Sequence, residues 1–220
     1  MLNLTHPHRP CRAGVVMLAA AGLILLAVPA ARAATPPTTA PAVTNTLQNL
    51  QAAFNGESNA HARYLAFAEK ADAEGYAGAA GLFRAAARAE QTHATAHAAV
   101  ITKMGGKPTA DVKPAEVKTT AENLKAAIAG ESYERDTMYP DFLKQARVEK
   151  NKAALQSFTY AKTAEAEHAK LYAQALQNLD DWKTARTFYV CQVCGYTTTQ
   201  LDFAKCISCF SGKDKYDAVS

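Results

Sequence analysis

Four stretches of the chain carry apolar residues at alternating intervals of three and four, the spacing that lines one face of an α-helix. The first starts at Thr44 or Asn45, either of which can cap a helix, and stops at Gly75, with Leu47, Leu50, Phe54, Tyr64 and Ala68 on its stripe. The second spans Ala77 to Met104, with Leu82, Ala86 and Val100 inward, and ends at Gly105-Gly106. The third, Ala121 to Lys150, turns Leu124, Ile128, Met138 and Phe142 inward; the fourth, Lys152 to Leu179, does the same with Leu155, Phe158, Tyr172 and Leu176. Pro140 removes a backbone donor inside the third, so a kink or bulge is expected just beyond Glu131 and Glu134. Residues Gly105 to Thr120 hold Pro108 and Pro114 and no helical period. Extended, they reach about 53 Å, enough to run along a helix of about 42 Å. The pattern predicts an all-α four-helix bundle with a long crossover between two helix pairs. Exchange of helix pairs between subunits fits it equally.

Charge interrupts each of these apolar faces. Glu57 stands on the first stripe, Glu90, His93 and His97 on the second, Glu131 on the third, and Glu165 and His168 on the fourth. A lone carboxylate in a core is costly, so these groups need a common partner. Glu90-Gln91-Thr92-His93 and Glu165-Ala166-Glu167-His168 are two copies of Glu-x-x-His, 75 residues apart, and Ala53 to Ser58 is echoed by Ala127 to Ser132, 74 residues on. On a helix, Glu-x-x-His presents a carboxylate and an imidazole to the same side. One Glu from a first helix and one Glu-x-x-His from a second, given twice, is the ligand set of carboxylate-bridged di-iron or di-manganese bundles. Together with Glu134, the set would repel itself or protonate if empty, whereas two cations make it favourable. Carboxylates with imidazoles suit iron or manganese better than copper.

Glu134 has no counterpart in the first half, where Ala60 stands. Four carboxylates balance two ferrous ions and a fifth suits a ferric pair, so one iron is expected to exchange Glu134 for His93 as its redox state changes. His61 and His97 are read as hydrogen-bonded or partly exposed, and Glu167 as solvent-facing.

A polar connector, Leu179 to Thr187, leads to strand and turn residues Phe188 to Tyr196. Cys191-x-x-Cys194 and Cys206-x-x-Cys209 form paired knuckles, a four-thiolate site for iron or zinc. A segment of about 35 residues cannot build a core, so the metal is expected to hold residues 186–220 together.

At the other end, Arg9 and Arg12 precede an apolar run from Val15 to Val28 and an Ala31-Arg32-Ala33 cleavage signal. The run falls short of the roughly 20 residues of a membrane span. Residues 1–33 are therefore expected to be a cleaved signal peptide, leaving no stable membrane insertion, and 34–44 a Pro/Thr-rich tether before a bundle at 45–180. Removing the leader leaves 21 basic against 20 acidic residues, so no basic surface for nucleic acid is indicated.

With Gly56-Glu57-Ser58 and Tyr64, Glu90-x-x-His93, Glu131-x-x-Glu134 with Tyr139-Pro140, Glu165-x-x-His168 and the two knuckles in order, residues 45 to 209 resemble the rubrerythrin family. The resemblance implies a ferritin-like bundle with a rubredoxin-like C-terminal domain. It also implies a non-haem di-iron peroxidase that reduces hydrogen peroxide to water in defence against oxidative stress. Glu90 and Glu165 would bridge the irons. Glu57 and Glu131 would be terminal ligands, with His168 on one iron, the Glu134/His93 exchange on the other, and Tyr64 and Tyr139 bonded close by. Cys191, Cys194, Cys206 and Cys209 would hold a single iron, with zinc as the alternative, that resupplies electrons. A homodimer would bring one subunit's thiolate centre near the other's di-iron site. Export would call for a periplasmic electron donor, a cytochrome or other redox protein. The alternative reading is an iron-storage or sequestration protein. The second knuckle departs from the family, with Ile207-Ser208 and Phe210 where Pro and Gly are usual.

Overall fold

The computed structural model describes residues 45–220; the expected leader and tether lie outside the described residues. Helix α1 (Thr46–Ala73) opens at a capping box in which Asn45 and Gln48 exchange side-chain-to-amide hydrogen bonds, both 2.9 Å. Gly75, at φ +81°, closes it, and Gly105, at φ +82°, closes α2 (Ala77–Lys103). No described helix is long and apolar enough to cross a membrane.

The crossover is pinned along α1. Gln51 Nε2 donates to the Thr109 carbonyl at 2.8 Å, and the Asn55 and Asn59 side-chain oxygens accept from the Asp111 and Lys113 amides at 2.8 and 2.9 Å. The match is geometric: four helical residues rise about 6 Å and two extended residues about 6.7 Å, so successive turns meet alternate crossover residues.

The expected third helix is a continuous helical run in three parts: α3 (Thr120–Tyr133), a π-helical segment (Glu134–Met138) and α4 (Tyr139–Val148). The Tyr139 amide bonds back to the Glu134 carbonyl, five residues away, which adds one residue to the turn. That extra residue explains a shift in the internal repeat. Glu57 and Glu131 are 74 apart, but Tyr64 and Tyr139 are 75 apart, and the π segment lies between Glu131 and Tyr139. The last helix, α5 (Lys152–Gln177), is capped by Asn151.

The buried carboxylates divide the core into two apolar layers. Tyr64, Phe67, Leu82, Phe83, Leu124 and Tyr172 pack on one side, and Leu50, Ile101, Tyr139, Leu143 and Phe158 on the other.

The connector is not a loose polar link. Residues Leu179–Lys183 form a 3₁₀ turn that buries Trp182, which stacks on Phe188 under the Arg186 guanidinium. It lies against Gly78 of α2 so closely that a Cβ there would stand 2.5 Å from the Thr184 carbonyl oxygen. The chain then forms a three-stranded antiparallel sheet, order β2-β1-β3, from β1 (Phe188–Cys191), β2 (Thr197–Thr198) and β3 (Tyr216–Val219). An Arg88–Asp217 ion pair at 2.9 Å ties β3 to α2.

Two glycine substitutions test this packing with opposite signs. Gly56, mid-α1 with open space around it, should gain about 0.5–1 kcal/mol as Gly56→Ala, because alanine loses less backbone entropy in a helix. Gly78→Ala should lose about 1–3 kcal/mol instead, since its methyl meets backbone that cannot yield cheaply. Urea unfolding of both variants measures this; stabilisation by Gly78→Ala would contradict the close approach.

Candidate metal centre

Glu57, Glu90, Glu131, Glu165, His93 and His168 come from α1, α2, α3 and α5, and none is more than 2% exposed. Their ligand atoms form two clusters, Glu57, Glu90, His93 and Glu165, and Glu90, Glu131, Glu165 and His168, each with all atoms within 4.8 Å of one another. Glu90 and Glu165 belong to both, which is the placement of bridging carboxylates. Each half therefore supplies one bridge, and the repeat read from the sequence closes on itself in space.

The donor atoms fit a cation pair. Glu57 Oε2, Glu90 Oε1, Glu131 Oε2, both Glu165 oxygens and His168 Nδ1 are buried with no hydrogen-bond partner in the protein. Leaving that many polar atoms unsatisfied costs far more than a folded domain tolerates unless another group binds them. The electrostatics agree. Burial, with the charges of Glu165, Glu131 and Glu57, drives the Glu90 carboxyl well up, and burial with Glu165 pushes Glu131 up to about 7. Burial works the same way on Glu57, but the rings of His93 and His97, each 3.8 Å from it, hold it well below the usual range. For His93 and His168 burial favours the neutral ring, yet the surrounding carboxylates raise both. Positive charge bound among these oxygens would relieve the conflict.

The oxygens facing away from the cluster are held by side chains from the opposite half. Tyr64 donates to Glu131 Oε1 at 2.7 Å and Tyr139 donates to Glu57 Oε1. The extra π residue is what brings Tyr139 to this crossed position. Glu134, the first residue of the π segment, belongs to neither ligand cluster; the structure puts His93 there instead. Partly exposed at the edge of the site, its carboxyl is raised by lost hydration and by the charges of Glu57, Glu165, Glu131 and Glu90.

The four cysteines gather as expected. None is disulfide-bonded, and the Cys191–Cys209 and Cys194–Cys206 sulfurs are each 3.6 Å apart. This is close to the edge of about 3.8 Å that metal–sulfur bonds of about 2.3 Å give a tetrahedron. Cys209 alone is partly exposed.

What the sequence did not reveal is how the knuckle meets the carboxylate site. His93 Nε2 donates to the Cys194 carbonyl at 3.1 Å, and His168 Nε2 lies 2.9 Å from Thr197 Oγ1, whose own proton goes to the Gly195 carbonyl. Each imidazole is thus protonated at Nε2, which leaves Nδ1 as the free donor toward the cluster. The contact lies within one chain, because the packed connector folds the knuckle back over α2. Gly195, at φ +74°, permits it, since a Cβ there would come within 2.2 Å of His93 Nε2. Two further buried groups, which the stripes place inward, border the ligands. Tyr172, one turn beyond His168, has no protein partner for its hydroxyl, and His97 bonds both Tyr139 and Ser157. Their helical spacing from His168 and His93 was the available signal.

Thr197→Val keeps the side-chain shape and removes the hydroxyl. It should weaken metal binding at the carboxylate site about tenfold, with Thr197→Ser restoring it; chelator competition measures the change, and an unchanged affinity would contradict the orienting role.

The rubrerythrin family model matches residues 48–176. Nigerythrin from Nitratidesulfovibrio vulgaris is 41% identical over 180 residues, covering 80% of this chain and 88% of that one. Rubrerythrin-2 from Clostridium acetobutylicum is 37% identical over 179 residues, covering 77% and 94%. A solved mixed-valence nigerythrin superposes with a TM-score of 0.75 at 38% identity, covering 83% of this chain and 90% of that one. The ferritin-like bundle, its paired Glu-x-x-His helices and these matches establish that the chain belongs to the rubrerythrin family.

Proposed function

We propose that this protein is a non-haem di-iron peroxidase: it reduces hydrogen peroxide to water, with electrons arriving through one iron held by Cys191, Cys194, Cys206 and Cys209. The observation that carries this reading is the sharing of Glu90 and Glu165 between two four-ligand clusters whose histidines both rest on the thiolate knuckle. Glu57, Glu90, Glu165 and His93 would hold one ion, and Glu90, Glu131, Glu165 and His168 the other. Glu134, beside the cluster at a π turn, is positioned to replace His93 when an extra negative charge is needed.

Bound there, an iron pair would supply the two electrons of the net reaction, in which hydrogen peroxide, two electrons and two protons give two waters. The chain's own groups set the conditions. Tyr64 and Tyr139 fix the outward oxygens of Glu131 and Glu57, so the remaining lone pairs stay aimed at the cluster. The two aromatic layers on either side exclude bulk water, which strengthens every charge interaction inside. The His93-to-Cys194 hydrogen bond gives electrons a bonded route between the two sites. That route favours iron over zinc at the cysteines and peroxidase over iron storage, since neither a redox-inert ion nor a storage site has use for it. The leader pattern in residues 1–33 supports export and hence an electron donor outside the cytosol, such as a cytochrome, and the family resemblance supports a homodimer.

Purified protein should contain about three irons per chain with a ferric-thiolate colour. Anaerobically reduced, it should reoxidise rapidly and stoichiometrically on adding hydrogen peroxide. Zinc at the cysteines, or iron that peroxide oxidises only slowly while dioxygen oxidises it readily, would contradict this proposal and support storage.

A further inference from the structure

Reduction of peroxide consumes protons as well as electrons, and the electron route does not supply them. A second line of polar groups reaches Glu57 through His97 and Tyr139. His97 is wholly buried; its Nδ1 lies 2.7 Å from Ser157 Oγ and its Nε2 3.1 Å from Tyr139 Oη, which donates to Glu57 Oε1. Ser157 lines a surface groove of about 290 Å³ shared with Gln156, Tyr160 and Val193. An apolar core would be expected here: Phe158, Tyr139, Ile101 and Leu50 pack around this level of the bundle. A histidine and a serine paired inside it call for a reason.

With His97 neutral, the bonds have one consistent direction. The Tyr139 hydroxyl has a single proton and gives it to a carboxylate, so its oxygen must accept from His97 Nε2–H. A neutral imidazole protonated at Nε2 has a bare Nδ1, which must accept from the Ser157 hydroxyl. Every donor therefore points inward, from the groove to Glu57.

We propose that Ser157, His97 and Tyr139 form a proton relay that delivers protons from the groove to Glu57 for the peroxide reduction proposed above, on which this role rests. In one pass Ser157 gives its proton to His97 Nδ1 and takes one from a groove water. His97 gives its Nε2 proton to Tyr139, and Tyr139 gives its own to Glu57 Oε1. One O–H or N–H bond breaks and one forms at each link, so one solvent proton ends on Glu57, which is a carboxylic acid until the reduction consumes that proton, while Ser157, His97 and Tyr139 keep their charge. Reversal of the two hydroxyls and of the His97 tautomer resets the path.

The test has two arms. In protein loaded with zinc at both sites and labelled with ¹⁵N-histidine, NMR should find His97 protonated at Nε2, with Nδ1 accepting a hydrogen bond that Ser157→Ala removes; protonation at Nδ1 in the unsubstituted protein would overturn the relay whatever the protein's activity. In reduced, iron-loaded protein, Ser157→Ala and His97→Leu should each slow reoxidation by hydrogen peroxide at least tenfold, with a smaller loss in reaction with a one-electron oxidant that needs no proton. If the unsubstituted protein reacts quickly and both variants match it, the relay is wrong; if it does not react with peroxide, the peroxidase reading fails while the NMR arm still decides the wiring.

Discussion

Four carboxylates in a dry interior impose the constraint from which the rest of the structure follows. Each ion taken from water costs several kcal/mol unless it is paired and hydrogen-bonded, and Glu57, Glu90, Glu131 and Glu165 are all buried to 1% exposure or less. Two imidazoles cannot balance them, which is why burial and mutual repulsion drive some of these groups toward their neutral forms while others are held charged. Two cations remove the conflict at once, satisfying the unpartnered oxygens and the charge together. The helix register, the crossed tyrosines and the seating of the knuckle all serve to aim those oxygens at one place.

The π segment is the clearest case of local structure serving that aim. A plain α-helix from Glu131 would carry Tyr139 about 100° out of place. One extra residue returns it to the position that Tyr64 holds in the other half, and also creates the irregular turn on which Glu134 sits. The approximate two-fold symmetry of the site is thus kept for the hydrogen bonds and broken only where a fifth carboxylate enters.

Much of this was legible in the sequence, for physical reasons. Charged residues on apolar stripes, twice over, have few explanations besides metal, so periodicity placed the four helices, and the repeated Glu-x-x-His named the residues that gather in the two clusters. Glu134 was named as the exchange partner of His93, and here His93 holds the place while Glu134 borders the cluster; which of the two is in place is a matter of side-chain geometry that spacing does not encode. The π turn was signalled by the change from a 74- to a 75-residue repeat and by Pro140, but only its neighbourhood was read. The docking of the knuckle was not legible, because it depends on absences: glycines at 78 and 195 whose missing methyl groups let two segments touch. Phe210 is a related case, since it adopts φ +62° where the family's usual glycine would do so without strain.

The thiolate knuckle rests directly on the histidines of the carboxylate site, and we propose that the two form one electronic unit. It is tested most directly by following the ferric-thiolate colour in stopped flow as reduced, iron-loaded protein meets hydrogen peroxide across a wide range of protein concentration. The account predicts that the colour returns at a rate independent of protein concentration, because the electron crosses a preformed contact. A rate that rises in proportion to protein concentration would mean that the two centres meet only by collision, and would contradict it.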